Sequence, residues 1–230
     1  MSDAFPGALM APPTASVQEN LDALQAERDD SWDAEQLRSH EAFRLSHEEE
    51  AGSRRMVREG DVVSPFTLPE VDGGAVALTD LLATGPVVLI FFRFEGCPAC
   101  NAAWSAYQLS LAPVLQELGV HLVGVSPQAP EKLVAIKRRH DFQFQIASDP
   151  DASLIHEFGI GFAPAEEERE KQLPGLAAYL PPPEPGVNRD IGSFQGEYMR
   201  FGAKHNDIFP LLGDMIRWKL GLPNRHLGDK

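Results

Sequence analysis

The spacing of apolar residues changes near position 57, and the change divides the chain. Before it, Val17, Leu21 and Leu24 recur at i, i+4 and i+7 along one helical face, which predicts a first helix over about 16–28. Asp30 and Ser31 can cap a second helix that runs through Trp32, Leu37 and Phe43 towards His47, with Glu48, Glu49 and Glu50 as solvated charge. Residues 1–57 are thus expected to be a flexible Pro- and Ala-rich start and a helical arm, resting on the main domain or on a second copy of the chain.

From Val57 onward, strand and helix signals alternate. Short strands are expected at 66–68 and 76–78 around the turn Asp72-Gly73-Gly74, with a helical turn at 78–83. Residues 87–92 contain no polar side chain, the pattern of a central strand buried on both faces. A helix over 97–118, kinked at Pro113, a buried strand over 120–125 and a helix over 130–139 follow. Strand, helix and strand in that length make a parallel crossover unit. A strand at 144–147, a turn at Asp149-Pro150 and a helix at 152–158 continue the pattern. Beyond them stand a charged helical stretch at 165–171, a Pro-rich segment at 173–198 with loosely placed strands at 176–180 and 198–201, and a last helix from Asn206 or Asp207 to Leu220. The fold class expected is α/β, with residues 58–230 forming one domain.

Composition narrows the function classes. The chain has 230 residues, 43% of them hydrophobic, enough for a real core. Its 34 acidic against 20 basic side chains oppose binding to nucleic acid or to an anionic membrane surface. Neither a basic start followed by an apolar run nor a stretch of about 18 apolar residues occurs, so a soluble, cytoplasmic protein is expected.

Two cysteines are present, Cys97 and Cys100. A bond between them would close a loop worth at best about 2 kcal/mol of chain entropy, a poor staple for a domain this size. Its value is chemical. Pro98 follows Cys97, and proline suits the first helical position because its missing N–H would be unpaired there anyway. Cys97 is thereby placed as the helix cap, its sulfur facing the free N–H groups of Ala99 and Cys100 and the positive end of the helix, which favour thiolate. Cys100, one turn in and more covered, is placed to attack an oxidised Cys97. Two other readings stay open. The pair could be half of a zinc site, which needs two further ligands, although no His-x-x-x-His spacing supplies them. The cysteines could also be unreactive core thiols.

Gly60-Asp61, the run Pro65–Pro69, Val76–Leu82, Gly85–Val88, Phe91-Phe92-Arg93, Cys97-Pro98-Ala99-Cys100-Asn101 and Val125-Ser126-Pro127-Gln128 follow one another in an order and spacing that resemble the alkyl hydroperoxide reductase and thiol-specific antioxidant (AhpC/TSA) superfamily. Ser148-Asp149-Pro150, Phe158-Gly159 and the helical arm are similar to its peroxiredoxin-like branch. The resemblance covers about residues 58–162. It implies a thioredoxin-like fold, with a central mixed sheet flanked by helices. It also implies a thiol peroxidase without a cofactor or metal, which reduces hydrogen peroxide or an organic hydroperoxide through a Cys97 sulfenic acid and a Cys97–Cys100 disulfide. An external dithiol such as a thioredoxin would reset it, and a homodimer is compatible with it.

Arg93 matches the arginine of that branch, where it would lower the Cys97 thiol or orient a peroxide oxygen. Pairing with Glu95 is the competing role. The chain departs from the superfamily pattern Pro-x-x-x-Thr-x-x-Cys with Ile90 and Phe94, so the threonine hydroxyl is absent, and from the branch pattern with Gly96 in place of tryptophan. Glu95 adds a charge that opposes thiolate if it lies close. Pro174 or Pro181 could face the reactive cysteine as a cis-proline, and His205 and Asn206 are polar residues ahead of the last helix. Trp104 and Tyr107 read as core. Thiol–disulfide exchange with proteins uses the same two cysteines, and a non-enzymatic thioredoxin-fold binding protein is the reading from a third class.

Overall fold

The protein is described by a computed structural model over residues 16–52, 55–58 and 60–161. Ser16 opens helix α1 (Val17–Ser31), its hydroxyl accepting the Glu19 N–H at 3.2 Å. The covered face carries Val17, Asn20 and Leu24, while Leu21 is half-buried. Asn20 is buried because its amide Nδ2 donates to the Ala102 carbonyl at 3.1 Å, a polar contact that apolar spacing does not reveal. Helix α2 (Ala34–Gly52) starts two residues later than the sequence suggests. Its cap is Asp33, not Asp30 or Ser31: Asp33 Oδ1 accepts the N–H groups of Glu35 and Gln36, and Gln36 Oε1 accepts the N–H of Asp33 in return. Ser31 belongs to α1, and Trp32 lies between the helices.

Strands β1 (Thr67–Pro69) and β2 (Ala75–Ala77) form the expected antiparallel hairpin, and α3 (Leu78–Leu82) follows directly. The main sheet has the order β3 (Val87–Phe91), β4 (His121–Ser126), β5 (Gln145–Ser148), all parallel. An antiparallel bridge between Glu70 and Ala147 joins the hairpin to β5 and makes the arrangement mixed. Among the described residues β4, not β3, is the central strand. Among those residues β3 pairs with β4 alone, and of its five residues Ile90 is buried and the other four are half-buried.

Alternate side chains serve two cores, as the period of a strand requires. On one face Ile90, Leu122 and Ile146 meet α4 (Pro98–Ala106), α5 (Ala112–Leu118) and α6 (Pro130–His140). On the other, Val123, Val125 and Ala147 meet the hairpin, Leu81 and Leu154, the last from α7 (Ser153–Glu157). Gly124 lets α4 close on the sheet: a Cβ there would stand 3.0 Å from the Trp104 ring. Trp104 and Tyr107 are core residues, each about 1% exposed. The helix expected over 97–118 is continuous but carries a π turn at Tyr107–Leu111. That wider turn takes up Pro113, whose ring and missing N–H disturb regular α geometry.

Two polar anchors complete the frame. Asp149, fully buried, caps α7 by accepting the N–H groups of Leu154 and Ile155. Glu70 is also buried; its carboxylate accepts Lys137 Nζ at 2.8 Å and the Ile146 N–H at 3.3 Å, and Lys137 reaches Asp72 as well. Gly159, at φ +69°, lies where a Cβ would fall on the Arg55 carbonyl. Gly159→Ala therefore adds left-handed strain to a backbone clash and is expected to destabilise the fold by about 1–3 kcal/mol. At roughly 2–4 °C per kcal/mol for a chain of this size, calorimetry should record a clear fall in melting temperature. The stretches expected at 165–171, 176–180, 198–201 and 206–220, with Pro174, Pro181 and His205, lie outside the described residues.

Candidate functional site

The C-terminal end of β3 and the start of α4 bring the sequence-predicted residues together. Cys97 is the N-cap of α4 with Pro98 at the first turn, as expected, and its sulfur accepts the Cys100 N–H at 3.4 Å. Arg93 turns to the sulfur and not to Glu95: Nε lies 3.3 Å and Nη2 3.1 Å from Cys97 Sγ. Cys100 Sγ donates to Cys97 Sγ at 2.7 Å. Both cysteines are free thiols.

The expectation that Cys100 is the more covered of the pair does not hold. Cys97 is 0% and Cys100 1% exposed, because the helix start is sunk against the sheet. What separates them is charge. Burial alone pushes the Cys97 thiol up, but the Cys100 S–H, the Arg93 charge and the Cys100 N–H outweigh it and bring the thiol down to about 5. Burial raises Cys100 well above the ordinary thiol range, and the neighbouring Cys97 sulfur adds to the rise. One sulfur is thus held as an anion at neutral pH while the other keeps its proton. Unreactive core thiols share the burial, but they lack a cation on the sulfur.

Glu95 does not oppose the thiolate in the way its position suggests. Its carboxylate meets Arg139 of α6, with Oε2 to Nη2 at 3.0 Å. Arg139 Nη1 also donates to the Glu95 carbonyl at 3.0 Å and to Asn101 Oδ1 at 2.9 Å. Asn101 Nδ2 in turn donates to the carbonyls of Glu95 and Cys97. From the end of β4, the Ser126 hydroxyl donates to the Arg93 carbonyl at 2.9 Å, and Gln128 Oε1 accepts the Glu95 N–H at 2.7 Å. Asn101, Ser126 and Gln128 stand in motifs that carry the family resemblance, but the sequence assigns them no supporting role, and it does not mark Arg139 at all. For Ser126 and Gln128 a signal existed, since the C-terminal ends of neighbouring parallel strands converge where such sheets place function. For Arg139, 42 positions from Cys97 in a run of basic residues, there was none.

Phe94, buried, stands where the threonine of the superfamily pattern would be, so no hydroxyl is offered there. Among the described residues no three His, Cys, Asp or Glu side chains are grouped as metal ligands, and no helix is long and apolar enough to cross a membrane.

The chain is similar to known proteins over part of its length. Peroxiredoxin Bcp of Escherichia coli K12 is 30% identical over 105 residues, 45% of this chain and 65% of that protein. Peroxiredoxin bcp1 of Schizosaccharomyces pombe is 26% identical over 103 residues, 45% of this chain and 52% of that one. The crystal structure of peroxidoxin BcpB from Mycobacterium tuberculosis superposes with a TM-score of 0.42 at 29% identity, covering 44% of this chain and 66% of that one. The chain thus spans less than two thirds of the length of the two curated relatives. The AhpC/TSA family model matches residues 60–178, more than half of the sequence and all of the strands and helices around Cys97, and the chain belongs to the AhpC/TSA family.

Proposed function

We propose that the chain is a thiol peroxidase in which Cys97 is the attacking thiol, Cys100 the resolving thiol and Arg93 the cation that holds the Cys97 sulfur as a thiolate. The reading rests above all on the two guanidinium contacts to the Cys97 sulfur, with the protonated Cys100 thiol 2.7 Å away. The thiolate attacks one oxygen of a hydroperoxide and the O–O bond breaks. Cys97 becomes a sulfenic acid, and the departing alkoxide or hydroxide takes a proton to leave as alcohol or water. Cys100 then attacks the sulfenic sulfur, water leaves, and the disulfide forms. An external dithiol supplies the two electrons and two protons that restore both thiols. Because Cys97 is closed to solvent, a peroxide reaches the sulfur only when the groups that cover it move aside. We read residues 58–230 as the catalytic domain, working in the cytoplasm where such dithiols are kept reduced.

Phe94, in place of a hydroxyl that would help hold a peroxide, favours a second reading, thiol–disulfide exchange with proteins through the same cysteines. One experiment separates the two. The reduced protein is mixed with stoichiometric hydrogen peroxide or cumene hydroperoxide, and the loss of both thiols is timed against free cysteine at the same pH. Loss faster than free cysteine by several orders of magnitude is expected for a peroxidase. A rate like that of free cysteine would transfer the assignment to exchange.

A further inference from the structure

Arg139 stands outside the pair of cysteines and the arginine that binds them, yet it makes three contacts with the loop that carries them: the Glu95 carboxylate, the Glu95 carbonyl and Asn101 Oδ1. We propose that Arg139 is a positioning residue for Cys97: by holding the buried Glu95 carboxylate against α6, it keeps that anion off Arg93 and leaves the Arg93 guanidinium to the sulfur.

Glu95 is two residues from both Arg93 and Cys97, and its side chain is only 8% exposed. A carboxylate so placed is costly without a cation, because little water reaches it. Arg139 meets it in space, and Arg93 stands two residues away along the chain. Arg93 is the nearer in sequence, and a planar fork that suits a carboxylate would be drawn there if no other were offered. Arg139 removes the competition. Its Nη2 takes the carboxylate while Nη1 takes the adjacent carbonyl, so side chain and backbone of Glu95 are fixed together. Asn101 extends the hold to Cys97 itself, since its Nδ2 donates to the Cys97 carbonyl at 2.9 Å. The Gln128 side chain fixes the Glu95 N–H from the opposite side.

Arg93 and Cys100 touch the sulfur; the other charged and titratable groups facing the loop and the start of α4 are Glu95 itself, Tyr107 on the π turn, and Arg139 and His140 on α6. His140 contacts Asn101 at 2.8 Å and is held neutral, its imidazole brought down to about 4 by burial and by the Arg139 charge. It therefore adds no charge to the site at neutral pH.

The test reads thiol acidity, not turnover, so its failure is distinct from failure of the peroxidase reading. The reduced full chain is alkylated with iodoacetamide from pH 4 to 9, and modification of Cys97 is followed by peptide mass spectrometry. In Arg139→Gln the midpoint is expected to rise by about 1 pH unit or more, as an unneutralised carboxylate draws off Arg93. Glu95→Gln alone should move it by no more than a few tenths. Added to Arg139→Gln, it should bring the midpoint back to the parent value. This non-additivity is the signature of the proposal. An unchanged midpoint in Arg139→Gln overturns it, as do effects of Glu95→Gln that are equal with and without Arg139. If Arg139→Gln does not fold, Arg139→Lys carries the same cycle. A single ammonium cannot take both the carboxylate and the Glu95 and Asn101 oxygens, so its midpoint also rises and returns with Glu95→Gln. A parent-like midpoint in Arg139→Lys overturns the proposal equally.

Discussion

Cys97→Ser is expected to lose peroxide reduction altogether, falling to the background rate of the buffer, whereas Cys100→Ser consumes a single equivalent and stops. The difference follows from which sulfur carries the negative charge. Cys97 is brought to about 5 by the Cys100 thiol, Arg93 and the helix start acting against burial, and a serine hydroxyl cannot be ionised by the same surroundings at neutral pH. Cys100 keeps its proton through burial and the adjacent Cys97 sulfur, so it waits until Cys97 has been oxidised. In Cys100→Ser the hydroxyl can still donate to the Cys97 sulfur, but it cannot condense with a sulfenic acid. The measurement is peroxide consumed per chain, with dimedone trapping of the Cys97 product. Turnover surviving in Cys97→Ser would end the thiol mechanism, and parent-like turnover by Cys100→Ser with a thioredoxin system as the sole reductant for both would remove Cys100 from it.

Arg93→Met is expected to slow the oxidation of Cys97 by about 10²-fold at pH 7, the scale on which a single preorganised donor to a developing charge usually counts. Both guanidinium contacts at 3.1 and 3.3 Å go at once, and methionine keeps much of the bulk. With only the Cys100 thiol and N–H left to oppose burial, the Cys97 thiol rises. The parent rate should therefore be flat through neutral pH and fall only as the pH drops through about 5, while the variant rate climbs with pH across the neutral range. Arg93→Lys should recover only part of the loss, since an ammonium does not reproduce the fork. Linkage fixes the sign for stability. The folded Cys97 thiol lies below its unfolded value of about 8.5, so its stabilising contribution is full above that value and is lost as the pH falls towards 5. Denaturant titrations of reduced parent and Arg93→Met should hence differ most at the alkaline end. Equal pH profiles for parent and variant would place Arg93 outside the chemistry.

Much of the frame could be read before any coordinates. The hairpin and the crossover strands sit within one or two residues of the periodicity and turn signals, because those signals report local backbone geometry, whereas the π turn ahead of Pro113 does not show in them. The role of Cys97 as cap was legible for the same reason: Pro98 fixes where the helix begins. What escaped was long-range. Among the described residues β3 pairs with β4 alone, and an apolar run records what a strand is made of and not its neighbours. Asp33 does not stand out as the cap because Asp29, Asp30, Ser31 and Asp33 all precede the second helix and only geometry chooses among them. Glu95 was read as an opponent of the thiolate, although Arg139, brought over it by the β4–α6–β5 crossover, neutralises it. Its partner is set by topology, and spacing along the chain carries no trace of that.

Helix α6 ends in a run of basic residues, and two of them leave it in different directions. Lys137 reaches Glu70 under the hairpin, and Arg139 reaches Glu95 beside Cys97; both carboxylates are almost closed to water. Residues two apart on a helix do not share a face. The final turn of α6 is therefore tethered on either flank and works as a yoke, so that the hairpin and the reactive loop cannot shift independently. Thermal motion that loosens one should loosen the other, and the amides of both regions should exchange their hydrogens as a single cooperative unit.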